Sequence, residues 1–383
     1  MPNPGPWSEL YPDLLESIFE LLCLADVHRA KLVCLNWNTS SKRSVARKIK
    51  TPWLIVLFVD DEKDVYVLHN PNEDRIYKPV RDFSGIRFLA NSGKWFLMLD
   101  SGCNLYIMDV FSEKRIDLPP LESLVSSTYA LKPSGDKEYS LILPGGSCCK
   151  LNTSYLRSRL WVDEKTGEFV LVLFFDPSPY LFYCKNGDNH YTVIPVDDKF
   201  PNMLQGVTDL VLRGYRLYIA SNRRCVRVID LSGHQGFEDV TGSNPKPMLS
   251  PLGENDSFNI VATTAGEVLL VESTTVENQR TFRIYKKNPN ADPEDQMPHL
   301  VEVDSLGDEA LLLDLGITVP AANHALGIQP NTIYFARHNR VRYRVSFDLE
   351  ICVFNVATKT IIKHLPHLAN LKPRDALWFL PMT

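Results

Sequence analysis

Residues 7 to 37 read Trp7-Ser-Glu-Leu-Tyr-Pro-Asp-Leu-Leu-Glu-Ser-Ile-Phe-Glu-Leu-Leu-Cys-Leu-Ala-Asp-Val-His-Arg-Ala-Lys-Leu-Val-Cys-Leu-Asn-Trp37. Proline at a first helical position loses no hydrogen bond that the helix could have made, so a helix is expected from Pro12. Leu15, Ile18, Phe19 and Leu22 follow at i, i+3, i+4 and i+7, one apolar stripe that Leu14 widens. After a break at residues 23 to 25, Asp26 reads as the N-cap of a second helix, its carboxylate accepting from the free amides of the next turn. Val27, Ala30, Val33, Cys34 and Trp37 then repeat at helical spacing, while His28, Arg29, Lys31 and Asn36 fall largely on other faces. Helices this short do not bury their own apolar faces, so the pattern asks for a partner surface.

The order Leu10-x-Pro12-x-Leu14-Leu15, a pair of apolar positions one turn apart, an Asp before the second helix and Val33-Cys34-x-x-Trp37 together resemble an F-box. The pattern departs at Tyr11, where plant relatives usually carry proline or another small residue. The resemblance implies docking onto the Skp-type adaptor, and through it the cullin, of an SCF ubiquitin ligase. It assigns Leu10, Pro12, Leu14, Leu15, Ile18, Leu22, Val33, Cys34 and Trp37 to adaptor contact or to the core of the module. An ordinary helical hairpin packed on its own chain would show the same leucines, so residues 1–50 alone leave that alternative open.

At 383 residues the chain exceeds one typical domain, and a small module followed by one large β domain fits the length. Its 44% hydrophobic content is that of a globular protein. The longest apolar runs, Trp53 to Val59 and Phe169 to Phe175, fall far short of the ~20 residues a membrane helix needs. The start Met-Pro-Asn-Pro-Gly-Pro has neither the basic opening nor the apolar stretch of a secretion signal, which points to the cytosol or nucleus. The eight cysteines are then expected to be reduced; none has Cys-x-x-Cys spacing, and Cys148-Cys149 reads as strand or turn.

Residues 1–50 hold seven Lys/Arg against five Asp/Glu, leaving 34 against 41 for residues 51–383. Five of the seven bases lie between Lys42 and Lys50, either a third short helix with cations at its C-terminal end or a nuclear-targeting or phosphate-binding run. The acidic remainder argues against a nucleic-acid partner, which needs clustered Lys and Arg. Residues 288 to 316 hold eight Asp or Glu and no Lys or Arg, and the first part reads as an exposed polar loop.

After Pro52 the periodicity becomes that of strands. Leu54 to Val59, Val65 to His69 and Arg75 to Lys78 are separated by Asp60-Asp61-Glu62 and Asn70-Pro71-Asn72. The phrase returns at 95–118, 160–196, 207–231, 260–286 and 332–364. At roughly 40 to 50 residues per blade, residues 51–383 allow a β-propeller of six to eight blades. Leu377-Trp378-Phe379-Leu380 is placed to supply a closing strand. A sandwich or two smaller β domains is the alternative.

The phrases Phe111-Ser-Glu-Lys-Arg-Ile-Asp-Leu-Pro-Pro120, Gly266-Glu-Val-Leu-Leu-Val271, Val303 to Gly316 and Asn331-Thr-Ile-Tyr-Phe335 are similar to those of the plant KIB-type β-propeller family. Members often carry an N-terminal F-box, the order found here. The resemblance implies a non-catalytic substrate receptor whose propeller binds a target protein, with some relatives recognising protein kinases. Nucleophile-elbow, phosphate-loop, zincin and dinucleotide motifs are absent, and Pro366 keeps His364 and His367 off one helical face, so neither a metal nor a cofactor is expected. A propeller scaffold without ligase work, and a propeller hydrolase, remain the opposing readings.

Overall fold

The computed structural model describes residues 6–22, 24–48, 52–60, 63–71, 75–77, 83–125, 129–143, 145–175, 180–194, 207–221, 226–233, 236–240, 257–276, 279–290, 300–321, 328–336, 351–364 and 375–380. A short 3-10 turn, Pro6–Glu9, precedes three helices, α1 (Pro12–Leu21), α2 (Leu24–Ala30) and α3 (Leu35–Lys48). After Pro52 the described residues are strand and turn, apart from two single 3-10 turns at Leu121–Ser123 and Thr153–Tyr155.

α1 begins at Pro12 as the sequence indicates, with the Tyr11 carbonyl accepting from the amides of Leu14 and Leu15 at 3.1 Å. The second helix differs from expectation. Asp26 is not its cap but lies in the first turn of α2, paired with Arg29 at 3.0 Å. The helix ends at Ala30, and Lys31 to Cys34 form a turn in which the Leu32 and Val33 amides reach back only three residues. The helical spacing of Val27, Ala30, Val33 and Cys34 thus runs through a turn, where Val33 is exposed. The break lets α3 start afresh, with Asn36 Nδ2 donating to the carbonyls of Ser8 (3.1 Å) and Leu10 (2.8 Å). The basic run is helical as far as Lys48 at the end of α3; Ile49 and Lys50, like Cys23, lie outside the described residues.

The strands form six sheets around a common axis. The first blade joins Asp375–Phe379, Trp53–Asp60, Lys63–Asn70 and Arg75–Tyr77; the second, Arg87–Ser92, Trp95–Leu99, Leu105–Asp109 and Arg115–Asp117. The third joins Leu156–Val162, Phe169–Phe175, Leu181–Lys185 and Tyr191–Ile194, with Leu124–Val125 added parallel outside. The fourth joins Val207–Arg213, Arg216–Ser221, Val226–Asp230 and Glu238–Asp239; the fifth, Ser257–Ala262, Val268–Val276, Gln279–Lys287 and Leu300–Glu302. The sixth runs Ile317–Pro320, Glu309–Leu312, Thr332–Phe335, Cys352–Asn355 and Thr360–His364, and one parallel bridge, Ala262 to Ile317, ties it to the fifth. A three-stranded meander, Ala130–Gly135, Glu138–Ile142 and Cys148–Asn152, is inserted between the second and third.

Successive side chains of a strand point to opposite faces, and here both faces are buried. In Phe169–Phe175 the residues Phe169, Leu171, Leu173 and Phe175 pack toward the second blade, while Val170, Val172 and Phe174 pack toward the fourth. Six apolar clusters of this kind fill the six gaps between neighbouring blades, including the gap between the sixth and the first. Six closed gaps make a ring and rule out the sandwich alternative. The C-terminal strand closes it, with Leu54 opposite Trp378 and Ile55 opposite Leu377. Both termini of the β region therefore contribute to one blade, which leaves no open sheet edge at the seam.

Lys78, Pro195 and Val196, the turn residues Asp61, Glu62 and Asn72, the polar loop from Ala291 to His299, and His367 lie outside the described residues. The family-like phrases are scaffold. Gly307 sits in a turn at φ +61°, and Leu311 to Leu313 behind it are buried. Asn331, at φ +56°, accepts from the Leu306 amide through Oδ1 (2.8 Å) and donates its own amide to Glu309 O (2.8 Å), so two of those phrases are bonded to each other.

Candidate functional site: the helical module and its exposed leucines

The module has a small core. Leu15, Phe19 and Val27 are fully buried, with Leu10, Ile18, Leu22, Ala30 and Trp37 packed against them. Trp37 meets Phe19 edge to face at 5.6 Å between ring centroids, and its indole Nε1 donates to Trp7 O at 2.8 Å. The bond gives the half-buried indole N–H a partner and ties α3 to the stretch before α1.

The other face of α1 is apolar as well. Tyr11, Leu14 and Leu21 follow one stripe at helical spacing, with Ile18 half-buried at its edge. Leu14 is 53% exposed and Leu21 88%; Pro12 is exposed beside them. The turn between α2 and α3 and the start of α3 add Leu32, Val33 and Leu35, the last 81% exposed, with Cys34 half-buried between them. Of twelve exposed large apolar side chains among the described residues, seven lie between Trp7 and Leu35. Exposed leucines scattered singly need no explanation, but a concentration on one small module marks an interaction surface.

The nine residues singled out from sequence thus divide. Leu15 is core, Leu10, Ile18, Leu22 and Trp37 are half-buried support, and Pro12, Leu14 and Val33 stand in solvent with Cys34 at their margin. Leu21, Leu32 and Leu35 were not among the nine. Leu21 was legible, seven residues after Leu14 on the same stripe; Leu32 and Leu35 were not, because their exposure depends on the turn at residues 31 to 34.

The module also meets the propeller. Lys31 lies close to Asp109 and Lys94 of the second blade, and burial there lowers its ammonium pKa, against the attraction of Asp109. Asp109 is itself buried and accepts from the amides of Phe111 (2.9 Å) and Ser112 (3.2 Å), from Ser112 Oγ (2.7 Å) and from Lys94 Nζ (3.3 Å). A carboxylate held by that many donors is a fixed charge, suited to orienting a neighbouring lysine.

Comparison with known proteins matches two families to the chain. The F-box domain family matches residues 7–46, and the KIB1-4 β-propeller family matches residues 65–355. The chain belongs to the F-box proteins with a KIB1-4 β-propeller. An F-box protein of Arabidopsis thaliana is 50% identical to it over 387 residues, covering 99% of each chain. A second is 44% identical over 394 residues, 98% of this chain and 96% of the relative. F-box protein KIB4 of the same plant is 32% identical over 395 residues, 96% of this chain and 94% of KIB4. Fold, domain order and family thus agree with the sequence reading, and the six sheets give the lower end of the expected blade count.

Proposed function

We propose that this F-box protein is the substrate-recognition subunit of an SCF-type ubiquitin ligase, acting in the cytosol or nucleus. Residues 1–50 dock the Skp-type adaptor, and the propeller of residues 51–383 holds a target protein near the loaded conjugating enzyme, raising its effective concentration there. The chain itself transfers nothing. The observation that carries the reading is the set of exposed leucines on a module too small to need them for its own core. Protein kinases, suggested by the family resemblance, are the first targets to screen.

The test is co-expression of the full chain with a plant Skp-type adaptor, followed by size-exclusion chromatography. A one-to-one complex is expected from the native chain. The double variant Leu14→Asp/Leu35→Asp alters exposed positions only, so its thermal midpoint should stay within about 2 °C while the complex is lost. A native chain that stays monomeric would turn the reading toward a propeller scaffold without ligase work.

A further inference from the structure

The innermost strands of five blades and the turn that follows the innermost strand of the fifth enclose a cavity of about 810 Å³ on the propeller axis, with one lining residue from each blade in Asn91, Trp161, Arg213, Thr264, Thr318 and Leu377. That volume is in the range of sites that hold small organic molecules. The hairpin turns at Gly93, Gly214 and Gly266 also line it, at the end of the ring where the innermost strands turn back.

Most of the wall is apolar, and its charges are one-sided. The lining carries Arg159, Arg213 and Arg216 and one carboxylate, Asp314, with the phenol of Tyr218 as the other ionisable group among the described lining residues. Arg159 is held behind the wall by the buried Asp209 (3.8 Å) and by Leu210 O (2.7 Å), which leaves Arg213 and Arg216 as the cations that meet a ligand. Arg213 donates from a single nitrogen, Nη1, to Ala262 O (3.2 Å) and Thr318 O (3.1 Å), so its guanidinium bridges the fifth and sixth blades with donor capacity left over. Burial lowers its pKa, opposed by Glu309 and Tyr218, so a nearby anion would stabilise the cation.

Asn91 is the decisive residue. It is 3% exposed, and neither its Nδ2 nor its Oδ1 has a hydrogen-bond partner among the described residues. Leaving a buried amide unpaired costs free energy that a leucine of similar size in the same place would not incur. An amide offers a donor and an acceptor together, and here it does so in a largely apolar wall that also carries arginines.

We propose that this cavity binds a small organic acid with an apolar body, a carboxylate that pairs with Arg213 and Arg216, and a hydroxyl or N–H that reaches Asn91. The site is separate from the adaptor surface and stands whether or not that surface docks an adaptor.

The test titrates the full chain with hydroxynaphthoate and with the neutral hydroxynaphthamide, by calorimetry and by quenching of tryptophan fluorescence. Saturable binding of the acid is expected, about tenfold tighter than that of the amide. Asn91→Leu should weaken the acid about tenfold with no fall in thermal midpoint, since no hydrogen bond is removed. Arg216→Gln, at an exposed position, should weaken the acid similarly and leave the amide unchanged; it decides the matter if Asn91→Leu does not fold. No saturable binding at millimolar acid, equal binding of acid and amide, or unaltered binding by the folded variants would overturn the proposal.

Discussion

Phe19→Ala separates the two parts of the molecule. Phe19 is one of three fully buried side chains in the helical module and packs edge to face on Trp37. Truncating a buried phenylalanine costs about 3–5 kcal/mol from lost transfer and the cavity left behind; the ring pair adds roughly 0.5–1.5 kcal/mol. A helical stretch the size of residues 6–48 has about 2–6 kcal/mol of stability in all, at ~0.05–0.15 kcal/mol per residue. The substitution therefore removes most or all of it and unfolds the module, while the six inter-blade cores are untouched. The assay is limited proteolysis with mass spectrometry, alongside thermal unfolding and adaptor binding. Cleavage should appear between residues 6 and 48, the main transition should remain, and the adaptor complex should fall below detection unless excess adaptor refolds the module. An uncleaved module that binds the adaptor as tightly as the native chain would refute the assignment of Phe19 to a small, independent core.

Three further outcomes follow from the propeller. Trp378→Ala, at a fully buried position of the closing strand, should cost about 3–5 kcal/mol in denaturant unfolding, far more than Ile362→Ala on an exposed outer strand. Burial pushes the Cys184 thiol up to about 12, so it stays protonated at pH 8.5 and should resist iodoacetamide in the native chain, while exposed Cys148 and Cys149 react; peptide mass spectrometry reads both. Because that folded pKa lies above the unfolded value of about 8.5, the unfolded chain releases a proton that the folded one keeps, and the contribution of Cys184 to stability falls between about pH 8.5 and 12. Cys184→Ala should flatten that part of the stability-against-pH curve. Asn331→Ala, which removes the side-chain acceptor for the Leu306 amide at a left-handed position, should cost about 1–3 kcal/mol in the same assay.

Much of the strand pattern was readable because most strands have both faces buried and appear as apolar runs; Phe169–Phe175 has the bounds of the apolar run in the sequence. Two of the groups that stayed unplaced show why. Arg87–Ser92 is an innermost strand whose later residues, Ala90, Asn91 and Ser92, border the axial cavity, and small and polar residues there replace the usual apolar ones. The meander of 130–152 is largely exposed on its outer strands, so neither alternation nor an apolar run marks it. The cavity was not legible either, because its six walls lie up to nearly 300 residues apart in the chain.

What the sequence determined by itself is whatever neighbouring residues decide: the helix start at Pro12, the paired stripes of α1, the strands after Pro52 and the family-like phrases that bend between them. What only the tertiary structure decided is which of those surfaces found partners. Val27, Ala30, Val33, Cys34 and Trp37 repeat at helical spacing on paper, yet Asn36 and Trp37 bond to residues nearly 30 positions earlier, and the chain turns at Lys31 to reach them. Blade number, ring closure by Asp375–Phe379 and the solitary amide of Asn91 depend in the same way on contacts between distant segments. Helix capping and strand alternation act over a few residues, whereas burial is settled only when the whole ring has closed.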